Sequence, residues 1–422
     1  MSKSTADAKE DAPCAYPLPL TLSAFSTIVN ELRDSIRAEH KKQRDKWIDD
    51  TLGTTAEQRG TRTAKQVEAD NKTLQEASKS LLDEDPFSST WVPASSTLPS
   101  FPTREVHAAM KSDRSKPEQF VEKANLRDYV SDNKHHLLAM TVEDMRSVSW
   151  LDALLFRFAL TRKFDVASAT SRFLKFRTLV IDNGLIFNID DDVKAALALG
   201  VFQLAPQFSS CMLNPEECNS IQITPEEYHP RTPVLLMRAR LMDWTKIKVE
   251  AFRKGWFYFV MNAFCSDYIA QTNGVVVVQS MKDFGFANVK MEWQKFVMGA
   301  VTQCLPVKIG AGFIANQSWM FGNVMAPVMK SFMSDKVRKK MNVVGTDYAP
   351  AIKALGKHRL FEEAGGEATI PTDGSHVLEF IQAMAASPLV KASSSTFSSA
   401  SSPAANEENP VDESQDQKTA ES

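Results

Sequence analysis

The chain has 422 residues, of which 43% are hydrophobic, and this is enough for two or three domains with a sizeable core. Its formal net charge of −3 excludes a global attraction to nucleic acids or membranes, so any electrostatic attraction must come from local clusters. Its longest apolar stretches fall short of the roughly 18 residues that cross a bilayer, and its polar, acidic amino terminus does not resemble a signal peptide. We therefore expect a cytoplasmic protein that associates with membranes only peripherally.

The two ends of the chain are predicted to lie outside the folded domains. Residues 1–116 form the predicted N-terminal extension, in which residues 22–47 carry apolar side chains at helical spacing before a charged run, RAEHKKQRDKW. We interpret this segment as an amphipathic helix packed weakly on the body, with a membrane or partner contact as the alternative. Residues 51–116 are polar and then rich in Ser and Pro, which is typical of a linker. Residues 391–422 have too few large apolar residues to fold and form a predicted disordered acidic tail.

Residues 117–205 are predicted to form a helical lobe. Apolar residues recur at helical spacing in residues 151–160 and 166–179, and a short link, TRKFD, joins these two segments. Asp165 is placed to cap the second helix. A third predicted helix, residues 190–199, ends at a glycine, where a left-handed conformation is favoured.

After the lobe, the hydrophobic pattern changes to that of buried strands. Three short aliphatic runs bounded by turn-forming residues lie at residues 233–238, 274–279 and 308–315. Two predicted helices, residues 249–271 and 290–303, separate these runs. Strands that alternate with helices imply parallel neighbours joined by right-handed crossovers. We therefore predict the α/β class, with a mostly parallel sheet in a domain of residues 206–390 and an all-helical lobe in front of it.

A broad apolar helix is predicted at residues 319–333, directly after the third strand. Apolar doublets recur there every four residues and give the helix one wide apolar face. Such a helix must cover something apolar, and its methionines suit an adaptable wall because their side chains fit varied shapes. An ordinary core helix packed on the sheet is the alternative interpretation. A lysine-rich turn, SDKVRKKMNVVG, follows at once.

Six motifs follow one another between residues 117 and 372. They read LLFRFALTRKFDVASA, HPRTPVLLMRARLMDW, NGVVVVQSMKDFGFANV, PVKIGAGFIAN, FMSDKVRKKMNVVG and LFEEAGG. In this order they resemble the CRAL-TRIO family of lipid-binding domains, which includes cellular retinaldehyde-binding, alpha-tocopherol transfer and phosphatidylinositol-transfer-like proteins. The resemblance implies a helical lobe of the CRAL-TRIO N-terminal type and an α/β domain whose sheet floors a lipid pocket closed by a gate helix.

Carried onto this sequence, the resemblance places the gate on the predicted apolar helix and the pocket floor on the strands. The expected pocket wall on the sheet side consists of Val275, Val277, Phe284, Phe313 and Ala315. The gate is expected to contribute Trp319, Phe321, Val324, Met325, Val328, Met329 and Phe332. Because side chains alternate across a strand and both faces are apolar, the sequence leaves open which face lines the pocket.

The resemblance also implies contact with phosphoinositide headgroups, which basic residues beside the gate bind in the tocopherol and retinoid carriers. By position these are Lys308 before the gate and Lys336 and Lys340 after it, with Arg338 beside them. Gly310 stands where a second basic residue of the strand is usual. A solvated basic turn at a helix C-terminus, where positive charge is favoured, is the alternative.

The phosphatidylinositol-transfer branch of the family is a poorer match. Its headgroup site has an acidic residue, a threonine and an arginine at positions that hold Val307, Val337 and Leu160 here, and only Lys340 remains. We therefore expect a more apolar ligand, namely a sterol, retinoid, tocopherol or acyl lipid, and no further cofactor.

No sequence pattern supports catalysis. The seven histidines include no HExxH pair, and no Walker loop, GxGxxG or GxSxG motif occurs. The five cysteines are odd in number and form no CxxC pair, which favours reduced thiols, and we interpret Cys265 as a core residue. We therefore predict a carrier with no catalytic residue and no metal site. The alternative function is a non-transporting scaffold of the same fold that recruits partners to membranes.

Overall fold

The computed structural model of the chain describes residues 18–19, 22–77, 85–87, 138–139, 148–187, 189–206, 227–228, 232–265, 270–271, 274–317, 321–325 and 335–386. The predicted acidic tail at residues 391–422 lies outside them. Most of the predicted linker and most of the predicted apolar helix at residues 319–333 also lie outside them.

The N-terminal extension contributes a helix to the folded core. Helix α1 (Leu22–Leu52) buries one face of its first half, including Leu32 and Ile36, against the helices of the lobe. The guanidinium of Arg33 donates a hydrogen bond of 2.5 Å to the carboxylate of Asp152, a residue 119 positions further along the chain. The interpretation of this helix as weakly packed is therefore wrong, and only its second half is largely exposed.

Two further helices, α2 (Ala56–Gly60) and α3 (Ala64–Ala77), follow α1. An ion pair between Arg59 and Asp49 ties α2 to the end of α1, and α3 packs back on α1. These helices occupy positions for which only a linker was predicted, so that prediction is wrong for this part of the extension.

The three predicted helices of the lobe are present as α4 (Trp150–Thr161), α5 (Val166–Asp182) and α6 (Asp191–Ala198). As predicted, Asp165 caps α5, because its side chain accepts a hydrogen bond of 2.9 Å from the backbone N–H of Ser168. The glycine after α6, Gly200, has a φ of +68°, a left-handed conformation that suits the end of a helix.

A five-stranded sheet forms the core of the following domain. Its strands are β1 (Phe202–Leu204), β2 (Val234–Arg238), β3 (Val275–Ser280), β4 (Ile309–Ala315) and β5 (Met341–Gly345). They lie side by side in this order, with β1 antiparallel to β2 and all other neighbours parallel. The predicted α/β class with a mostly parallel sheet is confirmed, and β1 and β5 are added to the three predicted strands.

Helices connect the parallel strands, and the first of the two predicted connecting helices ends earlier than expected. Helix α7 (Val249–Ala263) follows β2, and α8 (Met291–Gly299) follows β3 and passes into a π-helical turn, Ala300–Cys304. The remaining α-helices of the described residues are α9 (Asp335–Arg338), α10 (Ala349–Leu355) and α11 (Ser375–Ala386). Helix α11 packs on α6, α7 and β1, so the C-terminal part of the described chain joins the lobe to the sheet domain.

A buried arginine makes a second connection between the lobe and the sheet domain. Arg172 of α5 is 5% exposed, and its guanidinium donates hydrogen bonds of 2.6 to 3.3 Å. The acceptors are the backbone carbonyl oxygens of Val301, Thr302, Leu305 and Val307. Burial lowers the pKa of Arg172 to about 10, which still leaves the group charged at neutral pH. The carbonyls at the end of the π-helical turn thus find their partners on the lobe.

Candidate functional site

Strand pairing assigns each residue of the sheet to one of two faces, because directly paired residues point to the same side and neighbours along a strand alternate. One row of paired residues crosses all five strands and defines what we call the C-terminal face: Gln203, Leu236, Val278, Phe313 and Asn342. The adjacent row defines the opposite, helix-covered face: Phe202, Met237, Gln279, Ile314 and Val343.

Different parts of the chain cover the two faces. On the helix-covered face, the ring of Phe202 packs against Phe252 of α7 and Trp293 of α8, with centroid distances of 5.1 and 6.2 Å. On the C-terminal face, the guanidinium of Arg238 donates a hydrogen bond of 2.7 Å to the carbonyl oxygen of Pro371. Helices α7 and α8 therefore lie on the same side of the sheet, as two right-handed crossovers in the same direction require. The segment before α11 lies on the other side.

The strand pairing divides the predicted pocket wall. Val277 pairs with Gly312 on the helix-covered face and is half-buried. Phe313 pairs with Val278 on the C-terminal face, and Ala315 lies on that face as well. Both Phe313 and Ala315 are buried there, at 5% and 0% exposure. A single wall that includes Val277, Phe313 and Ala315 is therefore excluded, because their side chains point to opposite sides of the sheet.

The predicted gate lies largely outside the described residues. Phe321 begins a π-helical turn, Phe321–Met325, and its side chain is 2% exposed. Trp319, Val328, Met329 and Phe332 lie outside the described residues, and only the backbone is described for Val324 and Met325. On the sheet side, Val275 and Phe284 are both buried. The role of all these residues in lining a pocket stays a prediction.

Cationic side chains converge at the amino edge of the sheet, where the parallel strands begin. Lys308 directly precedes β4 and Lys340 directly precedes β5. The Nζ of Lys340 donates a hydrogen bond of 2.5 Å to the carbonyl oxygen of Ile309. Burial, together with four positive charges nearby, among them Lys336 and Lys340, lowers the pKa of Lys308 to about 8. Burial and the charge of Lys336 also lower the pKa of Lys340.

The other two positive charges that act on Lys308 come from Arg162 and Lys163, in the turn between α4 and α5. This turn is sharply bent: Lys163 and Phe164 have φ values of +54° and +60°, and the N–H of Phe164 donates a hydrogen bond of 2.8 Å to the carbonyl oxygen of Ala159. The motif TRKFD is predicted from sequence only as a link between two helices. Its two adjacent cations were the signal that pointed to a site.

Of the predicted headgroup residues, Arg338 stands apart, because its guanidinium forms an ion pair with Asp335 at the start of the same helix. The remaining three predicted residues come together with the two cations of the turn. We call this set the basic cluster: Arg162, Lys163, Lys308, Lys336 and Lys340. It is assembled from the lobe, from the start of β4 and from the turn before β5.

A polar network closes the opposite, carboxyl edge of the sheet. Glu363, in the motif LFEEAGG, accepts hydrogen bonds of 2.8 Å from the hydroxyl of Ser280 and 2.7 Å from the guanidinium of Arg240. Asn316, the residue after β4, accepts a hydrogen bond of 2.5 Å from the hydroxyl of Tyr348. The chain thus leaves β4 at a fixed point and returns to β5 beside the basic cluster. The intervening segment must connect the two edges of the sheet.

A groove of about 800 Å³ lies on the lobe, between α1, α5 and the π-helical turn. Its lining includes Lys42, Thr170, Leu174 and Cys304, which mix charged, polar and apolar side chains. Among the described residues that line it, none was predicted to line the lipid pocket. The groove is therefore separate from the sheet faces and from the basic cluster.

Metal binding and membrane spanning find no support in the described part of the chain. No group of three or more His, Cys, Asp or Glu residues is placed there to hold a metal ion, and no helix there is long and apolar enough to cross a membrane. Cys265 is buried, and burial raises the pKa of its thiol to about 12, which disfavours the reactive thiolate at neutral pH.

Comparison with known proteins identifies the class of this fold. Residues 220–366 match the family model of the CRAL/TRIO domain, and this range contains β2 to β5 and the motif LFEEAGG. The chain therefore contains a CRAL/TRIO domain over these residues. Proteins of this family bind or transfer lipids and are typically carriers rather than enzymes.

Among solved structures, the chain is similar to that described as "Crystal structure of Sfh5", with 13% sequence identity and a TM-score of 0.35. The similarity covers 61% of this chain and 92% of that chain. The search of curated proteins gave no match.

Proposed function

We propose that this chain is a lipid carrier that holds a hydrophobic ligand against the helix-covered face of the sheet and exchanges it at anionic membranes. The CRAL/TRIO domain supports lipid binding in general. The observation that carries the more specific proposal is the basic cluster, in which cations from three parts of the chain meet at the amino edge of the sheet. At this edge the segment after β4 rejoins the sheet at β5. The positive charges of the basic cluster therefore lie directly beside the segment that is proposed to act as a movable cover.

The hydrophobic part of the proposed site has two components. Val277 and Met237 are half-buried on the helix-covered face and provide an apolar floor. The segment from 319 to 333, rich in methionine and aromatic residues, provides the cover and acts as a mobile gate helix. Burying an acyl or isoprenoid chain contributes roughly 0.8 kcal/mol per methylene, so about a dozen carbons hold the gate shut by about 10 kcal/mol before the costs of binding. The expected ligands are a sterol, a retinoid, a tocopherol or an acyl lipid.

The basic cluster supplies the membrane signal in this proposal. Each cation near an anionic lipid surface contributes on the order of 1 kcal/mol to binding. Lys308 lies close to four other cations, so a phosphorylated headgroup of a phosphoinositide that binds here interacts with several positive charges at once. Lys336 and Lys340 follow the gate directly in the chain. A headgroup that binds them therefore acts on the turn at the C-terminal end of the gate, and through this turn on the gate itself. The protein is thus proposed to act in the cytoplasm and to associate with membranes peripherally.

The test is native mass spectrometry of the purified full chain, followed by organic extraction and identification of any lipid released. A single lipid bound at close to one per chain supports the carrier and names its ligand class. The same preparation is then offered vesicles that contain sterols, retinoids, tocopherol and acyl lipids. A chain that binds such vesicles but extracts none of these lipids contradicts the proposal and supports the membrane-recruiting scaffold instead.

A further inference from the structure

Phe286 is exposed to an unusual degree for an aromatic side chain. Its exposed fraction is 71%, the largest among the exposed large apolar residues of the described chain. It lies in the loop between β3 and α8, and Met291, at the start of α8, is 39% exposed close by in sequence. Neither the sheet nor the basic cluster uses these two side chains.

Hydrogen bonds hold the loop that carries Phe286 in place. The side-chain amide of Asn288 donates hydrogen bonds of 2.9 and 3.0 Å to the carbonyl oxygens of Arg240 and Met242. Its backbone carbonyl accepts a hydrogen bond of 3.0 Å from the indole N–H of Trp244. These bonds clamp the loop after β3 to the loop after β2. Phe286 is therefore presented on a fixed support, and little ordering entropy is lost when a partner buries it.

The loop also has a defined place beside the proposed gate. It starts at Ser280, whose hydroxyl lies 3.4 Å from the side-chain amide of Asn316, the residue at which the chain leaves β4. Two exposed lysines, Lys282 and Lys290, and the exposed Asp283 lie near Phe286 along the chain. Phenylalanine combined with lysines is typical of a segment that lies at the boundary between lipid headgroups and acyl chains.

We propose that Phe286 is a membrane anchor that inserts into the headgroup boundary of a phospholipid bilayer at the carboxyl edge of the sheet. A protein partner fits this patch poorly, because a stable protein interface buries about 800 Å² on each side and the patch offers one phenyl ring and one methionine. A bilayer accepts an isolated aromatic side chain without a complementary pocket. The proposal rests on the proposed function, which brings a membrane to the gate. Phe286 and the basic cluster then contact the same membrane at opposite ends of the gate.

The experiment measures partition of the full chain onto vesicles by sedimentation, on phosphatidylcholine alone and on phosphatidylcholine with phosphatidylserine. Phe286→Ala is expected to weaken partition about tenfold on both kinds of vesicle, because the lost contact is apolar. Phe286→Trp restores the partition. The matched control is Val67→Ala, since Val67 is 43% exposed on α3, which packs on α1 away from the sheet.

Unchanged partition of Phe286→Ala overturns the proposal, and so does an equal loss in Val67→Ala or a failure of the unaltered chain to bind either vesicle. Thermal unfolding of each variant separates loss of anchoring from loss of fold. Lipid content by native mass spectrometry separates this inference from the carrier proposal. A chain without bound lipid that still loses partition in Phe286→Ala contradicts the carrier and supports the anchor.

Discussion

The Nζ of Lys340 lies 2.5 Å from the carbonyl oxygen of Ile309, so a cation expected to face a membrane is hydrogen-bonded to the backbone of the neighbouring strand. This bond joins the turn before β5 to the start of β4. Lys340 therefore contributes to strand pairing as well as to the charge of the basic cluster, and its replacement would mix two effects. Lys336 is exposed and is the better probe of the cluster's charge.

Charge reversal at Lys336 tests whether the basic cluster binds anionic headgroups. Lys336→Glu removes one positive charge and adds a negative one beside Lys308. At about 1 kcal/mol per charge, binding to phosphoinositide vesicles is expected to fall roughly tenfold to thirtyfold, with little change on neutral vesicles. The matched control is Lys339→Glu, which makes the same change at an exposed position of the same turn. Equal losses in both variants would show that only net charge matters and would remove the headgroup site.

The sequence predicted the strands of the sheet well and the basic cluster only in part. The three predicted strands stand out because each is a dense aliphatic run between turn-forming residues, whereas β1 has only 3 residues and β5 follows a lysine-rich turn. Arg162 and Lys163 belong to the lobe, and their approach to Lys308 depends on how α5 docks through Arg172. No local pattern encodes that docking.

The faces of the sheet show the same division between local and non-local information. Val277 and Phe313 both belong to apolar runs, so periodicity cannot tell which face each side chain takes. Only the pairing of β3 with β4 places them on opposite faces. The predicted pocket wall therefore contained residues of both faces, because the register between strands is set by packing and not by either strand alone.

Membrane binding is expected to depend on pH through Lys308. Its pKa of about 8 means that the side chain is mostly charged at pH 7 and mostly neutral at pH 9. Binding to anionic vesicles should therefore weaken about fivefold over this interval, the equivalent of roughly 1 kcal/mol for one charge. Lys308→Arg keeps its charge over the whole interval and should flatten the profile. Sedimentation with phosphatidylserine vesicles across this pH range gives the measurement.

Unfolding linked to the titration of Lys308 does not explain this loss of membrane binding. Through this group, the folded chain becomes more stable as the pH rises, not less stable. The pKa of Lys308 is lower in the folded chain than its ordinary value of 10.5, so the unfolded chain binds more protons between pH 8 and 10.5. The contribution of this group to the free energy of unfolding therefore rises with pH in that interval. A profile that is just as steep in Lys308→Arg would assign the pH dependence to another group.

Removal of the Arg172 guanidinium is expected to weaken the packing of the lobe on the sheet domain. Arg172→Ala leaves four backbone carbonyls without their donor and should lower the free energy of unfolding by about 3 to 5 kcal/mol. Urea denaturation measures the change, with Ser171→Ala as the control because Ser171 is exposed on the same helix. A loss below about 1 kcal/mol would mean that water replaces the guanidinium as the donor to these carbonyls. Arg172 would then not hold the lobe and the sheet domain together.

Two neighbouring valines of β3 test which face of the sheet holds the ligand. Val277→Phe adds volume on the helix-covered face, where Val277 is half-buried, and should displace lipid while changing the free energy of unfolding by less than about 1 kcal/mol. Val278→Phe makes the same change on the C-terminal face, where Val278 is fully buried. There it should cost about 1 to 3 kcal/mol of stability and leave the lipid content of the folded chain unchanged.

Native mass spectrometry gives the lipid content of both valine variants, and urea denaturation gives their stability. The two substitutions introduce the same side chain into the same strand. Any difference in lipid content or stability between the variants therefore comes from the face of the sheet that each side chain occupies. Loss of lipid in Val278→Phe with full lipid content in Val277→Phe would place the ligand on the C-terminal face. That face is covered by Arg238 and Pro371, so the segment before α11 rather than the segment after β4 would then have to be the cover that moves.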